Sequence, residues 1–465
     1  MSNWKEIGGV CALLLAAMVV SGRARAAEDS SKPNIVYILL DDAGYGDFSC
    51  YGQQKFKTPN IDRMAAGGLR FTDHYSGATV CAPSRCSLMT GLHGGHAFIR
   101  GNREIKPEGQ YPIPDQTVTL PERLKAAGYV TGAFGKWGLG APGSEGDPMN
   151  QGFDEFFGYN CQRHAHSYYP TYLWHNGKKV PLDGQTYSAD LIADQARSFI
   201  TRHKDEPFFC YMPVTVPHAA LHVPEESAAP FRKKFPEFED KIGRYSGPEI
   251  RNPAACFAGM MTRLDGEIGK VLALLDDLGI AKQTLVMLTS DNGAHREGGH
   301  MPEFFNSTGS LRGIKRDLYE GGIRVPMIAR WPGKIAPGTV TDLPSAFWDV
   351  VPTMCELAGA APPKETDGIS FVPTLLGQTD KQKPHEFLYW EFSPQGGKQA
   401  VRMGQWKGVR LNLKKDPDAP FELYNLKDDP GETKNVASEH PDVVARMKEI
   451  IQAEHVKSDL FPLFK

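Results

Sequence analysis

Two stretches of this 465-residue chain are built alike: NIVYILL at 34–40 runs straight into Asp41-Asp42, and TLVMLT at 284–289 runs into Ser290-Asp291-Asn292. Neither run alternates apolar with polar residues. A continuous apolar, β-branched run is the pattern of a strand covered on both faces, as in parallel sheets flanked by helices. Helix signals alternate with these runs. Thr58-Pro59 reads as an N-cap followed by Pro at the first helical position, with Gly67 as the stop. Thr119 and Glu122 have capping-box spacing and open a helix that should end at Gly128. Residues 253–278 place Met261, Leu264, Ile268, Leu272 and Leu275 on one helical face. Further strands are expected at 129–134, delivering Gly135-Lys136-Trp137, and at 208–212, leading into Val216-Pro217-His218.

The expected fold is therefore α/β, with a large, mixed, mostly parallel sheet sandwiched by helices, and polar residues gathered where strands end. In open α/β sheets that is where ligands bind. Beyond about Asp380 the pattern changes to short strand-like pieces (387–392, 400–403, 406–411, 421–424) and a helix at 441–455, which reads as a small antiparallel α+β subdomain. The expected organisation is a catalytic domain at 27–380 and a C-terminal subdomain at 381–465. Segments 140–185 and 225–251 read as long irregular loops.

Residues 1–26 stand apart. Lys5 precedes an apolar run from Gly8 to Val20, and Ala24-Arg25-Ala26 ends it with a small-x-small cleavage pattern, the form of a secretory signal peptide. The run is short for a bilayer span. An exported chain, periplasmic or secreted and free of the membrane after cleavage, is expected. The segment carries three basic residues and one acidic residue, so its loss takes the formal charge from −3 to −5. Such a balance does not favour nucleic acid. The mature chain would keep seven cysteines, an odd number, which in an exported protein points to a free or chemically special thiol.

Asp41, Asp42, Asp291 and Asn292 offer four side-chain oxygens at two strand ends, a donor set suited to calcium or magnesium rather than zinc. Cys81-Ala-Pro-Ser-Arg85, followed by SLMTG, resembles the signature of the type I sulfatases. Further motifs carry the same resemblance in order: ILLDDAGYGDFSCYG at 38–52, TPNIDRMAAGG at 58–68, GKWGLG at 135–140, SDNGA at 290–294, LRGIKRDLYEGGIRVP at 311–326 and ELYNLKDDPGETKNVA at 422–437.

The resemblance implies an alkaline-phosphatase-like fold and sulfate-ester hydrolysis. It implies that Cys81 is oxidised to formylglycine by a formylglycine-generating enzyme, and that the hydrated aldehyde, with Asp41, Asp42, Asp291 and Asn292, binds calcium, with magnesium as an alternative. Arg85 would hold the formylglycine hydrate, Lys136 and Lys315 would grip sulfate oxygens, and His218 would protonate the leaving alkoxide. One position departs from the pattern. The family's GKWHLG has a histidine where this chain has Gly138, and His93 or His96 is expected to supply the missing imidazole near residue 81.

The stretch YNCQRHAHSYYPTYLWHN at 159–176 concentrates histidines, an arginine and aromatics, and Arg163, His164 and His166 are expected to contact a sulfated sugar. GKWGLG together with YNCQRHAH looks like bacterial polysaccharide sulfatases, with a galactose-type 4-sulfate as one substrate. Two other classes share the features: a phosphonate or phosphodiester hydrolase with the same fold and nucleophile, and a silent sulfated-glycan binding protein in which Cys81 is never oxidised.

Overall fold

The computed structural model describes residues 32–464, so the signal-peptide reading lies outside the described residues. The described chain forms one compact unit. Its main sheet runs Thr339–Thr341, Leu69–Tyr75, Arg324–Arg330, Thr284–Ser290, Asn34–Asp41, Phe208–Pro217, Val130–Lys136, Glu155–Tyr159, Tyr172–His175, Lys178–Pro181, and Ser345–Ala346 adds beside Leu69–Tyr75. The five strands from Thr284–Ser290 to Glu155–Tyr159 are mutually parallel, and antiparallel strands close both sides.

The central strand shows why its sequence does not alternate. Val36, Ile38 and Leu40 enter one core, while Ile35, Tyr37 and Leu39 enter the other. Both faces are therefore apolar, as a covered parallel strand requires. The helix Pro253–Asp277 packs on the first face through Met261, Leu264, Ile268, Leu272 and Leu275. Helices Cys81–Thr90, Leu120–Ala126 and Val350–Ala358 cover the second. The Thr119–Glu122 capping box forms, and Pro59–Ala66 starts and stops where its signals lie.

Register sets the level of the strand ends. Leu40 lies opposite Ser290, Asp41 opposite Pro217, and Lys136 opposite Tyr159. The residues that follow these positions thus emerge along one edge.

Three readings from sequence need correction. Segment 140–185 is not one irregular loop, because it contains strands Glu155–Tyr159, Tyr172–His175 and Lys178–Pro181. The last of these, KKVP, is largely exposed, so no apolar alternation marks it. Segment 225–251 contains the helix Glu225–Lys234, whose acidic first turn and basic last turn suit the helix dipole although Pro230 interrupts the usual signal. The strand expected at 208–212 runs on to Pro217. It is buried throughout, so its two prolines mark no break in the core.

At the C-terminal end, Leu388–Phe392, Lys398–Met403, Trp406–Leu411 and Glu422–Asn425 form an antiparallel meander, followed by the helix Pro441–Glu454. It is tied to the main sheet by buried polar contacts. Trp390 Nε1 donates to the Ser76 carbonyl at 2.9 Å, and Lys407 Nζ donates to Glu320 at 2.7 Å, with Tyr75 Oη on the other Glu320 oxygen at 2.6 Å. Burial opposes ionisation of Glu320, but Lys407, Arg324 and Arg402 outweigh it and hold the carboxyl down at about 2.

Lys407→Met removes the nearest cation from the buried Glu320 carboxylate, leaving Arg324 at 3.4 Å, and should cost about 1–3 kcal/mol, read as a lowered denaturation midpoint with unchanged slope. An unchanged midpoint would mean that the pair does not hold the two layers together. Because the folded carboxyl sits below its unfolded value, its stabilisation is full above about pH 4.3 and fades as pH falls through about 2.

Candidate active site

Asp41 ends its strand, and Asp42 follows with φ of 70°, in the left-handed region. Consecutive strand residues point to opposite faces. The left-handed turn breaks that alternation, and both carboxylates reach the same buried cluster. Both are 1% exposed. Asp42 N–H donates to Asp291 Oδ1 at 3.1 Å, and Asn292 Nδ2 donates to Asp42 Oδ1 at 2.7 Å, so the two strand ends are joined through their acidic residues.

Cys81 is the first residue of a helix in which all ten residues are buried. Asn102 Oδ1 accepts the Ala82 N–H at 3.0 Å and so caps the helix from outside. The Cys81 thiol donates to Asp41 Oδ1 at 3.2 Å. Burial, reinforced by the Asp41 carboxylate, pushes this thiol well above its ordinary range. One helical turn later, Arg85 Nε and Nη2 donate to Asp291 Oδ2 at 3.0 and 2.8 Å, and Nη1 donates to the Lys136 carbonyl.

Lys136, at the end of its strand, places Nζ 2.6 Å from Asp41 Oδ2 and 3.4 Å from Cys81 Sγ. Lys315 places Nζ 2.6 Å from Asp42 Oδ2 and 3.1 Å from His218 Nε2. Its loop is pinned by Lys315 N–H on the Ala294 carbonyl at 2.8 Å and Arg316 N–H on the Thr79 carbonyl at 3.0 Å. His218 Nδ1 donates to the Ala219 carbonyl, which leaves Nε2 as the acceptor facing Lys315. Burial, aided by Lys315, holds His218 well below the usual histidine range.

Asp41, Asp42 and Asp291 face Lys136, Lys315 and Arg85, three negative groups against three positive ones. The acidic side of the cluster fits a hard dication. Its donors are all oxygen, and Asn292 Oδ1 is buried with no hydrogen-bond partner among the described residues. Burial and the neighbouring Asp41 charge push the Asp291 carboxyl up to about 7, a repulsion that a bound cation would relieve.

Above the cluster lies a cavity of about 330 Å³ lined by Cys81, Gln162, His166, His218, Tyr245 and Lys315 among others. His166 stacks on His218 with ring centroids 4.8 Å apart and planes 3° apart. Burial, with Lys136 nearby, pulls His166 down to about 4, so the ring is neutral at physiological pH. His295 also stacks on His218, at 5.9 Å, and donates to the Pro217 carbonyl.

The structure thus brings Asp41, Asp42, Cys81, Arg85, Lys136, His218, Asp291, Asn292 and Lys315 into one cluster, with His166 on the cavity wall. Arg163 lines the same cavity but is largely exposed and pairs with Glu104 at 2.6 Å. His164 does not line it. Its ring packs between Tyr159 and Tyr172, 3.4 Å from Glu108.

His93 and His96 also lie elsewhere, contrary to the expectation from Gly138. Their stacked rings are held by Glu454 on the C-terminal helix and by Asp367, at 3.0 and 2.9 Å. The space beside Gly138 is filled by Gln162 instead. Sequence reading passed over Gln162 and Tyr245. Gln162 lies inside the YNCQRHAH stretch, but a glutamine carries no signal of its own.

Comparison with known proteins agrees with this geometry. The sulfatase family profile matches residues 33–360, and a second profile, the C-terminal region of N-sulphoglucosamine sulphohydrolase, matches 314–457. The chain is 34% identical to human arylsulfatase A over 90% of its length and 87% of that protein's. It is 30% identical to an N-acetylgalactosamine-6-O-sulfatase of Bacteroides thetaiotaomicron, over 92% of its own length and 94% of that protein's. Among solved structures, it is similar to Ps i-CgsB in complex with a neocarrahexaose, with a TM-score of 0.77, 28% identity, and 91% and 93% of the two chains covered. With its strand-end acids, its Cys81 helix and its two buried lysines in one cluster, the chain belongs to the sulfatase family and is a hydrolase of sulfate esters.

Proposed function

We propose that this sulfatase is exported, periplasmic or secreted, and removes sulfate from a sulfated carbohydrate, using a formylglycine made from Cys81 by a formylglycine-generating enzyme and a bound calcium ion. The observation that carries the reading is the setting of Cys81. Its Sγ lies 3.2 Å from Asp41 and 3.4 Å from Lys136, beside the cavity that His218 and Lys315 line. A buried thiol held protonated is a poor nucleophile. The carbohydrate reading draws on relatives named for N-acetylgalactosamine sulfates and on the neocarrahexaose held by the solved relative.

Asp41, Asp42, Asp291 and the Asn292 carbonyl oxygen would hold calcium, which supplies Lewis-acid polarisation of the sulfate, and the aldehyde hydrate supplies the attacking hydroxyl. The remaining work falls to the chain's own side chains. Lys136 and Lys315 carry their ammonium groups on either side of the cluster, where they can bind sulfate oxygens as negative charge develops. Arg85 orients the start of the helix by tying it to Asp291 and to the Lys136 carbonyl. His218 is fixed at Nδ1 by the Ala219 carbonyl, so its Nε2 carries a lone pair, and the proton it passes to the leaving sugar oxygen is one it first accepts from the Lys315 ammonium 3.1 Å away, which is left as the neutral amine. His166 keeps the ring in plane, and Arg163 stands at the cavity wall as a sugar contact.

Active exported protein should carry an aldehyde at residue 81 by peptide mass, and Cys81→Ala should abolish turnover. An unmodified cysteine in fully active protein would overturn the reading. Stripping divalent ions should remove activity, and calcium or magnesium should restore it, whereas recovery with zinc alone would contradict the oxygen donor set. Lys136→Ala and Lys315→Ala should each lower kcat by roughly 10²–10³-fold in folded protein. His218→Ala should slow sugar sulfates, with poor leaving groups, by about 10²–10⁴-fold but spare aryl sulfates with good ones; equal losses on both would remove His218 from the role of acid.

A further inference from the structure

Gln162 follows the strand Glu155–Tyr159 and reaches back over Gly138 to the cavity that contains Cys81, His218 and Lys315. Its side chain is 6% exposed, and both its Nε2 and Oε1 are buried without a hydrogen-bond partner among the described residues. The conclusion does not depend on which way the amide is turned, since both ends lack a partner. Folded proteins leave few buried polar groups unpaired, and an orphaned amide at a cavity wall is completed by whatever enters the cavity.

Gly138 makes the placement possible. Its φ is +87°, and a Cβ there would stand 2.4 Å from Gln162 Nε2. The bare backbone two residues after Lys136 is therefore the space into which the amide fits. A second orphan lies close by, because Gln110 Oε1 is also buried without a partner and Gln110 lines the same cavity.

The chemistry of these atoms restricts the ligand. An ionised sulfate ester offers only acceptors, which could satisfy Gln162 Nε2 but neither Oε1 of Gln162 nor Oε1 of Gln110. Two buried acceptors need O–H or N–H donors, which the sulfate half of the substrate lacks and its alcohol half offers. A hydroxyl both donates and accepts, so one hydroxyl can serve both ends of the Gln162 amide. We infer that Gln162 is a specificity-determining residue that hydrogen-bonds a free hydroxyl flanking the scissile sulfate, in space left by Gly138. The inference rests on the carbohydrate-sulfatase reading above and names the feature of the sugar that the site reads.

The test is calorimetric titration of the full-length Cys81→Ala protein, in calcium buffer, with monosulfated galactose, N-acetylgalactosamine and glucosamine. The tightest binder is then compared with its deoxy analogues at each carbon flanking the sulfate. One analogue should bind roughly 10–100-fold more weakly than its parent, because it leaves the amide unpaired. Adding Gln162→Leu should abolish that difference by weakening the parent alone. Gly138→Ala, which displaces the amide while keeping it in the chain, should do the same, and thermal melts check that each variant is folded.

The inference is overturned if every deoxy analogue binds like its parent, or if Gln162→Leu weakens parent and analogue by the same factor. Turnover separates this from the broader reading. Selective binding by the Cys81→Ala protein, with no sulfate released from the same sugar by matured wild-type enzyme, would sink the carbohydrate-sulfatase reading and leave Gln162 as a hydroxyl contact. Failure of all three sugars to bind would overturn both.

Discussion

A balance of buried charge governs the arrangement of this protein. Asp41, Asp42 and Asp291 are removed from water at the ends of two parallel strands, and Lys136, Lys315 and Arg85 come from three other parts of the chain to face them. No member could be buried alone, since an isolated charge in the interior costs far more than a fold of this size can spare. Each loop above the sheet is consequently fixed by the charge it must deliver. The Lys315 loop is bound to the backbone beside Asp291 and to the backbone before Cys81, and the Arg85 guanidinium joins its helix to the end of the Lys136 strand.

The same logic operates a second time at the seam with the C-terminal sheet. Lys407, Glu320, Tyr75 and Arg402 form a buried polar group between the two sheets. The loop that carries Lys315 is bracketed by these two networks. Lys398 Nζ donates to the Arg316 carbonyl at 2.7 Å, and Arg312 donates to the Glu432 carbonyl at 2.8 Å. The meander thus buttresses a loop of the site without entering it.

How much of this could be read from sequence depended on whether a residue's job shows in its neighbours. The strand at 34–41 was legible because both its faces are covered, and the helix at 253–277 because one face is apolar over its whole length. The acids at 41, 42, 291 and 292 were legible because they follow such strands immediately. The strands between 155 and 181 were not, being short and near the sheet edge, with the last two partly exposed. His93 and His96 misled because proximity along the chain to Cys81 says nothing about which way a turn leads after a helix. Here it leads to Glu454 and Asp367. Gln162 could not be found at all, since its importance lies in the absence of a Cβ some two dozen residues earlier and in the lack of any partner for its amide.

The complete burial of the helix Cys81–Thr90 has a consequence in time rather than in space. Cys81 is 1% exposed, and every residue after it in that helix is enclosed as well. A substrate small enough to enter the cavity can reach the side chain, but another protein cannot grip the segment around it. Any enzyme that alters Cys81 must therefore meet the chain before this helix docks on its sheet. The cluster then forms around a side chain whose chemistry has already been decided, and folding is the step that seals it.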